Sequence, residues 1–280
     1  MDIWVVVAVL GAALLHALWN FLVRRATDKA VGMAAVMIGH LPLSVLALLW
    51  MGLPPIESAP YILLSALLHL GYSVFLLHAY RFGELSEIYP IARGASPILI
   101  TLGSVTFLPD NLTVSEILGV LMISGAILTY GFAQIRNKSF NRMGIVLALA
   151  TSCFISAYTI VDGTGTRIAQ NAMIYFGMMS VCNNLFLVAY FHRFHRGVIT
   201  RVFTEGWRIC LVGGSASFIA YAIVLWACLS TPIALVSSLR ETSVLFAVGL
   251  GALFLGERLT LFKVILTAMI FCGVLVLRLS

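Results

Sequence analysis

Apolar runs of about twenty residues recur along the whole sequence, and each is long enough to cross the hydrocarbon core of a bilayer. These runs constrain the fold, because backbone groups inside lipid must bond to one another, as they do within a helix. Hydrophobic residues make up 61% of the chain and charged residues 10%, whereas a soluble domain has about 25% charged residues. The sequence therefore predicts an all-α integral membrane protein. The ten predicted transmembrane helices are residues 3–23, 32–52, 59–80, 88–108, 113–133, 143–162, 172–191, 208–228, 233–254 and 260–279.

The surroundings of Arg93 recur around Arg240. The shift that aligns these two arginines also aligns Ser96 with Ser243 and matches several positions farther along the chain. Leucine and isoleucine matches carry little information in so apolar a sequence. An arginine inside an apolar span is costly, at roughly 2.5 kcal/mol or more at the helix centre. Its recurrence at matched positions therefore favours an internal duplication.

Five spans in each half would place the second half in the membrane upside down relative to the first. Duplicated halves of opposite topology are the architecture of many secondary transporters, in which the substrate site lies where the repeats meet. The sequence thus predicts two inverted five-helix repeats, formed by residues 1–136 and 137–280.

The basic residues predict the orientation of the chain. Thirteen of the 17 Lys and Arg residues fall in the odd-numbered connections between predicted spans, two fall on the opposite side and two lie within spans. Because basic connections remain in the cytoplasm, both termini are predicted to lie outside a bacterial-type inner membrane. The net charge of +6 comes mostly from these short connections, so it does not indicate nucleic-acid binding.

Arg93 lies within a stretch that combines charge with helix-breaking residues. Pro97 follows four positions later and has no N–H for the Arg93 carbonyl, while Gly94 is a second weak point. The combination predicts a helix break at Gly94 and Pro97, where the helix kinks or opens and a charge and a freed carbonyl would face a polar chamber. The alternative is that Arg93 extends to the lipid headgroups.

Further polar and aromatic side chains within the spans are candidates for lining a substrate cavity. His16, Trp19 and Asn20 share one face of the first span, and His69 and Tyr72 share a face of the third. For the first group the alternative is hydrogen bonding between helices. The complete set of predicted substrate-binding residues is Arg93, Arg240, Tyr89, Ser96, His16, Trp19, Asn20, His69, Tyr72, Tyr158, Tyr221 and Ser237.

Two acidic residues need an interpretation. Glu241 is the one carboxylate that the predicted spans place well inside the membrane, either as an ion pair with Arg93 or Arg240 or as a protonatable coupling group. Asp162 ends the predicted span 143–162, where it is either a helix-end residue or an acidic group at the outer mouth.

The sequence predicts no metal site and no cofactor. The five cysteines are scattered among apolar segments without paired spacing, so they are interpreted as packing residues. Gly163 and Gly165 lack the strand-and-helix setting of a phosphate-binding loop.

Four motifs carry a resemblance to a known family. They are His16-Ala17-Leu18-Trp19-Asn20, Tyr89-Pro90-Ile91-Ala92-Arg93-Gly94, Ser238-Leu239-Arg240-Glu241-Thr242 and Leu255-Gly256-Glu257-Arg258-Leu259. With them the whole chain resembles the EamA family of the drug/metabolite transporter superfamily. The resemblance implies ten helices in two inverted repeats around a central cavity, and transport of small organic metabolites, often outward. The resemblance also implies the opposite orientation, with both termini inside, because many members of the family are similar in having that topology.

Together these features predict a secondary transporter, not an enzyme, that moves an anionic or zwitterionic metabolite by alternating access. Proton-coupled efflux is one form of this hypothesis. The predicted partners are the metabolite and membrane lipids, without nucleic acid, and the oligomeric state stays open. The alternatives are a lipid scramblase, a non-transporting membrane protein and an intramembrane enzyme. An enzyme is less favoured, since it would need metal ligands or a nucleophile and base at fixed spacing, and the sequence has no His-x-x-x-His motif.

Overall fold

Thirteen α-helices make up most of the part of the chain described by this computed structural model, which covers residues 1–82, 85–108, 110–136, 142–255 and 260–280. A single 3₁₀ turn, Ile56–Ser58, precedes α4, and a π-helix, Ile209–Gly213, precedes α10. Most of the 255–259 motif and the residues just after the predicted repeat boundary lie outside the described residues. The helices are α1 (Ile3–Arg24), α2 (Lys29–Ile38), α3 (Leu41–Met51), α4 (Ala59–Ala79), α5 (Leu85–Phe107), α6 (Val114–Arg136), α7 (Arg142–Ala169), α8 (Ala172–Phe194), α9 (Val198–Thr204), α10 (Gly214–Ala227), α11 (Ile233–Arg240), α12 (Ser243–Leu255) and α13 (Leu261–Leu279).

Nine helical segments among the described residues are long and apolar enough to cross a membrane, so this is a multi-pass membrane protein. Each overlaps one of the ten predicted spans. The remaining prediction, 88–108, falls on α5, which has 23 residues and is thus about 35 Å long. α5 contains Arg93 and two prolines and is not among the nine segments. Ten crossings and the inverted repeats therefore stay predictions.

Large apolar side chains on the outer surfaces of the helices agree with this assignment. Trp50 is 86% exposed, Leu49 81%, Phe107 81% and Leu279 84%. A soluble protein rarely exposes apolar surface on this scale, whereas a bilayer covers it with acyl chains. These faces are therefore the ones suited to contact lipid.

Two of the predicted spans are interrupted by a turn. The second consists of α2 and α3, separated at Gly39 and His40, and Pro42 lies in the first turn of α3, where its missing N–H is tolerated. The ninth consists of α11 and α12, separated at Glu241 and Thr242. The second of these breaks places Glu241 in a turn inside an apolar span.

α5 continues through Gly94 and Pro97, so the helix does not open at these residues, and the predicted kink stays a prediction. The hydroxyl of Ser96 donates to the Arg93 carbonyl at 3.2 Å, which replaces the bond that Pro97 cannot make. Gly94 allows close packing, since a Cβ there would lie 3.0 Å from the backbone nitrogen of Leu128 in α6.

The described helices form two compact units, and each unit draws on both halves of the sequence. Unit 1 comprises residues 1–10, 71–160 and 231–280, and unit 2 comprises residues 11–70 and 161–230. In unit 1, α6 packs against both α5 and α13. In unit 2, α3 packs against α8, and α10 approaches the end of α2 so closely that a Cβ on Gly214 would lie 2.5 Å from the Cα of Gly39. The predicted repeats are a different division of the chain and stay a prediction.

Candidate functional site

Unit 1 brings together Arg93, Arg240 and Glu241, the three charged residues that the sequence placed well inside the predicted spans. Nε of Arg93 lies 2.9 Å from Oε2 of Glu241, and Nη2 of Arg240 lies 3.3 Å from Oε1 of the same carboxylate. Arg93 is 3% exposed, Arg240 2% and Glu241 0%. We call these three residues the ion triad. Since Arg93 is buried against protein, its charge is satisfied by Glu241 and not by lipid headgroups.

Glu241 lies in the turn that follows α11. The backbone tightens there: the N–H of Thr242 donates to the carbonyl of Leu239 and that of Val244 to the carbonyl of Glu241, both three residues back. From this turn the carboxylate of Glu241 faces one guanidinium with each of its oxygens.

The ion triad carries one more positive than negative charge when its members are ionised. Charges are retained in an apolar interior when they are paired, and breaking such a pair leaves an uncompensated charge that costs several kcal/mol. The ion-pair interpretation of Glu241 is therefore what the structure shows, with both arginines as partners. The excess guanidinium charge is suited to an anionic ligand.

Aromatic and hydroxyl side chains of unit 1 surround the triad. Cζ of Arg93 lies 5.6 Å from the centre of the Tyr89 ring, within the range of a cation–π contact. The rings of Tyr72 and Tyr158 meet edge-on at 5.8 Å, within electrostatic range of Arg93. Ser237 accepts a hydrogen bond from Arg240 at 3.4 Å. These predicted site residues thus lie together.

Ser96, also predicted to bind substrate, forms a hydrogen bond with the backbone of α5. Its hydroxyl donates to the Arg93 carbonyl, as described above, and its own carbonyl accepts a hydrogen bond from the hydroxyl of Ser156 in α7 at 3.1 Å. Ser96 therefore supports the helix that positions Arg93.

Two other predicted residues, His69 and Tyr221, meet around Asp162 in unit 2. The Tyr221 hydroxyl donates to Oδ2 of Asp162 at 2.6 Å, and Nε2 of His69 lies 3.9 Å from the same oxygen. The Tyr175 hydroxyl donates to Oδ1 at 3.0 Å. Asp162 is 0% exposed. The prediction that it ends a helix is wrong, because α7 continues to Ala169.

The polar residues of the first span bond locally within α1. Nε1 of Trp19 donates to Nδ1 of His16 at 3.3 Å, and the Asn20 amide donates to the His16 carbonyl at 2.8 Å. Trp19 also packs against Val36 and Ala216 in unit 2. Their role in lining a substrate path stays a prediction.

Residues 142–279, just under half of the chain, match the EamA-like transporter family. The matched residues belong to that family. The resemblance drawn from the motifs is confirmed, and the family is one of transporters in the drug/metabolite transporter superfamily. A solved crystal structure, described only as that of a protein, is similar to this chain with a TM-score of 0.78 and 18% sequence identity, over 98% of each chain. That likeness shows the fold alone. The comparison with curated proteins gives no match.

A charged cluster of this EamA-family protein lies outside the spans and was not predicted. Nη1 of Arg201 donates to Oδ2 of Asp28 at 2.7 Å, and its Nε and Nη2 donate to the two oxygens of Glu205 at 2.9 Å each. Asp28 also caps α2 by accepting from the N–H groups of Ala30 and Val31. An aspartate directly before an apolar helical run was the available signal.

The charges in this cluster shift the acidity of both carboxyl groups. Partial burial alone would raise the pKa of Asp28, but the hydrogen bonds from Arg201 and from the helix N–H groups outweigh it and hold that pKa below its usual 3.8. The hydrogen bond from Arg201 likewise holds the pKa of Glu205 below its usual 4.5.

A small cavity of unit 1 lies apart from the ion triad. Its volume is about 20 Å³, roughly the space of one water molecule. It is lined mainly by apolar residues of α6, α12 and α13, together with Tyr130, Lys263 and Thr267. A cavity of this size has no room for a metabolite.

Proposed function

We propose that this EamA-family protein is a secondary transporter that moves a small anionic or zwitterionic organic metabolite across a bacterial-type inner membrane by alternating access. Membership of a transporter family and the apolar helices support transport in general. The observation that supports an anionic substrate is the ion triad, in which two buried guanidinium groups share one carboxylate.

In this proposal the substrate replaces Glu241 as the counter-ion of the arginines. Guanidinium groups bind carboxylate and phosphate oxygens through charge-assisted, often bidentate hydrogen bonds. A substrate anion that enters the triad competes with Glu241, and a proton on Glu241 would release both guanidinium groups to the substrate. Glu241 is therefore proposed as a proton-coupling residue, with Tyr72, Tyr89 and Tyr158 shaping the pocket.

A thermal-shift screen on detergent-purified protein tests the anionic substrate. A ligand that binds only the native state raises its apparent stability, by about 2.7 kcal/mol at a hundred times its Kd. We expect stabilisation by one class of small carboxylates, phosphates or phosphonates, and loss of that stabilisation in Arg93→Gln. The matched control is Arg196→Gln, an arginine that is exposed outside the spans.

Transport is then measured in proteoliposomes with the ligand so identified. We expect uptake or efflux by the wild type and by Arg196→Gln, and at least a hundredfold slower transport by Arg93→Gln. Transport by Arg93→Gln at the wild-type rate would remove the triad from the site. Movement of labelled lipid without any ligand or ion gradient would favour the scramblase alternative.

The membrane orientation belongs to the same proposal. The bias of Lys and Arg supports an arrangement with both termini outside and the 192–207 connection in the cytoplasm.

A further inference from the structure

Unit 2 contains a second buried carboxylate, which the ion triad does not use. Asp162 lies in α7, within one of the nine membrane-spanning segments, and is 0% exposed. Ionisable residues at such positions are rare and are functional candidates by default. Its neighbours differ in kind from those of Glu241: it faces phenols, a hydroxyl and an imidazole, where Glu241 faces two guanidinium groups.

Three helices contribute polar or titratable groups around Asp162. From α4 come His69 and Ser65, whose hydroxyl lies 3.2 Å from Nδ1 of His69 and within hydrogen-bonding reach of the carboxylate. From α8 comes Tyr175, and from α10 comes Tyr221, whose ring lies edge-on to that of His69 at 5.9 Å. Two further titratable groups lie in the next layer: His40, within electrostatic range of His69, and Tyr61, within electrostatic range of Tyr175.

The hydrogen bonding of His69 fixes which of its nitrogens faces Asp162. Nδ1 lies 3.1 Å from the carbonyl oxygen of Ser65 and 3.2 Å from its hydroxyl oxygen, so Nε2 is the nitrogen on the side of Asp162. A carbonyl oxygen can only accept, so in the tautomer that bonds it Nδ1 carries the hydrogen and Nε2 has a lone pair. That lone pair faces a carboxylate oxygen at 3.9 Å, which is an ion-pair distance and too long for a hydrogen bond.

A lone pair opposite an anionic oxygen gives no attraction, whereas one added proton converts the contact into an attractive one. With the proton present, Asp162 and His69 together carry no net charge. When it leaves for water, a carboxylate and a neutral imidazole remain, and the pair carries one negative charge. An isolated buried charge is costly in an apolar interior, so release is favoured only in a state that admits water to the pair.

We propose that Asp162 and His69 bind one proton between them, and that this proton moves with each transport cycle in addition to any proton carried by Glu241. The transport part rests on the proposed function, whereas proton binding by the pair does not. The phenols of Tyr175 and Tyr221 position the carboxylate by donating to its two oxygens.

Proton binding is tested without transport by nitrogen NMR of the purified protein with labelled histidine. The chain has 6 histidines, so His69→Gln identifies the His69 signal by its loss. We expect that signal to titrate between about pH 5 and 8, the range in which histidine changes charge, and to report hydrogen on Nδ1 in the neutral ring. Its titration curve should be displaced in Asp162→Asn and unchanged in Asp2→Asn, a carboxylate outside the spans. A His69 signal that does not titrate, or that titrates identically in Asp162→Asn, would overturn the proposal.

Stoichiometry tests the second part in proteoliposomes clamped at zero membrane potential. Each coupled proton changes the accumulation ratio tenfold per pH unit of gradient. Asp162→Asn should still exchange substrate at equal pH, while its accumulation ratio at a gradient of about one pH unit differs tenfold from that of the wild type. An unchanged ratio would overturn the coupling and leave the proposed function standing. If the wild type moves no substrate, the proposed function fails, and the NMR titration alone decides whether the pair binds a proton.

Discussion

Glu241 is the counter-ion of two arginines, so the members of the ion triad should differ in their effect on stability. Glu241→Gln leaves two buried positive charges facing each other, and we expect a loss of about 3–5 kcal/mol, as for other broken buried ion pairs. Arg93→Gln leaves a balanced pair of Arg240 and Glu241, so its loss should be clearly smaller. Thermal denaturation in detergent, compared with the exposed control Arg196→Gln, measures both.

The relative stability of Glu241→Gln and Arg93→Gln tests this prediction. If Glu241→Gln melts close to the control, or if Arg93→Gln is the less stable of the two, the carboxylate is not holding the arginines together. A protein stabilised by only 5–15 kcal/mol in total would show a loss of this size as a large fall in melting temperature.

At the residue scale, the sequence predicted which charged residues are important better than it predicted the side chains that contact them. Arg93, Arg240 and Glu241 could be found because a charge in an apolar run has few explanations other than function. The helix-end interpretation of Asp162 failed because α7 continues past Gly163 and Gly165 to Ala169. In the structure Gly165 instead makes room for Tyr175, since a Cβ there would lie 2.4 Å from that ring. Such a contact depends on a helix distant in the sequence, so local patterns could not predict it.

The continuity of α5 at the element scale depends on the hydroxyl of Ser96. Ser96→Ala removes the donor to the Arg93 carbonyl, and a buried polar group left without its bond costs about 1–3 kcal/mol. Pro97→Ala supplies a backbone N–H to the same carbonyl. We therefore expect Ser96→Ala to destabilise the wild type by more than it destabilises the Pro97→Ala protein.

A double-mutant cycle measures the coupling between these two residues. Thr106→Val is the matched control, because that hydroxyl also bonds a carbonyl of α5, at 2.7 Å, but lies at an exposed position with no proline involved. Equal costs of Ser96→Ala in both backgrounds would show that the hydroxyl does not replace the missing helix bond.

The ends of α2 and α9 are joined by Asp28, Arg201 and Glu205, and this link should depend on pH. The folded state holds the pKa of both carboxyl groups below the usual 3.8 and 4.5. The unfolded chain therefore takes up protons first as the pH falls, so the stabilisation is present above about pH 4.5 and is lost on acidification. Arg201→Gln should lower the melting temperature at neutral pH and lose this effect in acid.

Melting curves of the wild type and Arg201→Gln over a range of pH measure the effect. The difference in melting temperature should shrink from about pH 7 to about pH 3 and also shrink with added salt, because the cluster is partly exposed to solvent. A difference that is constant across this range would mean that Arg201 acts through packing and not through charge.

The helices themselves were the most predictable elements, because a bilayer admits few other folds for long apolar runs. Interruptions within spans were not. No break was predicted at Gly39 or at Glu241, where the structure has turns, whereas α5 continues through Pro97, where the sequence predicted that the helix kinks or opens. Whether a helix is interrupted depends on the side chains and neighbouring helices that can replace a missing helix hydrogen bond, and these are not marked in the local sequence.

At the scale of the whole molecule, α5 decides how many times the chain crosses the membrane. With its 23 residues it is long enough to span, yet it is not among the nine apolar segments. The nine apolar segments alone would place the two termini on opposite sides. If α5 crosses as well, the termini share a side, and inversion of the two sequence halves follows from the odd number of spans in each.

Labelling of single cysteines settles this count. In a variant without the five native cysteines, Asp2→Cys, Ser280→Cys and Arg196→Cys are introduced one at a time and exposed to a membrane-impermeant maleimide in intact spheroplasts. We expect positions 2 and 280 to be labelled and position 196 to be protected until the membrane is opened, because basic connections stay in the cytoplasm. Labelling of only one terminus would mean that α5 does not cross. Labelling of position 196 alone would show ten crossings in the opposite orientation. The direction in which substrate enters the ion triad would then be reversed.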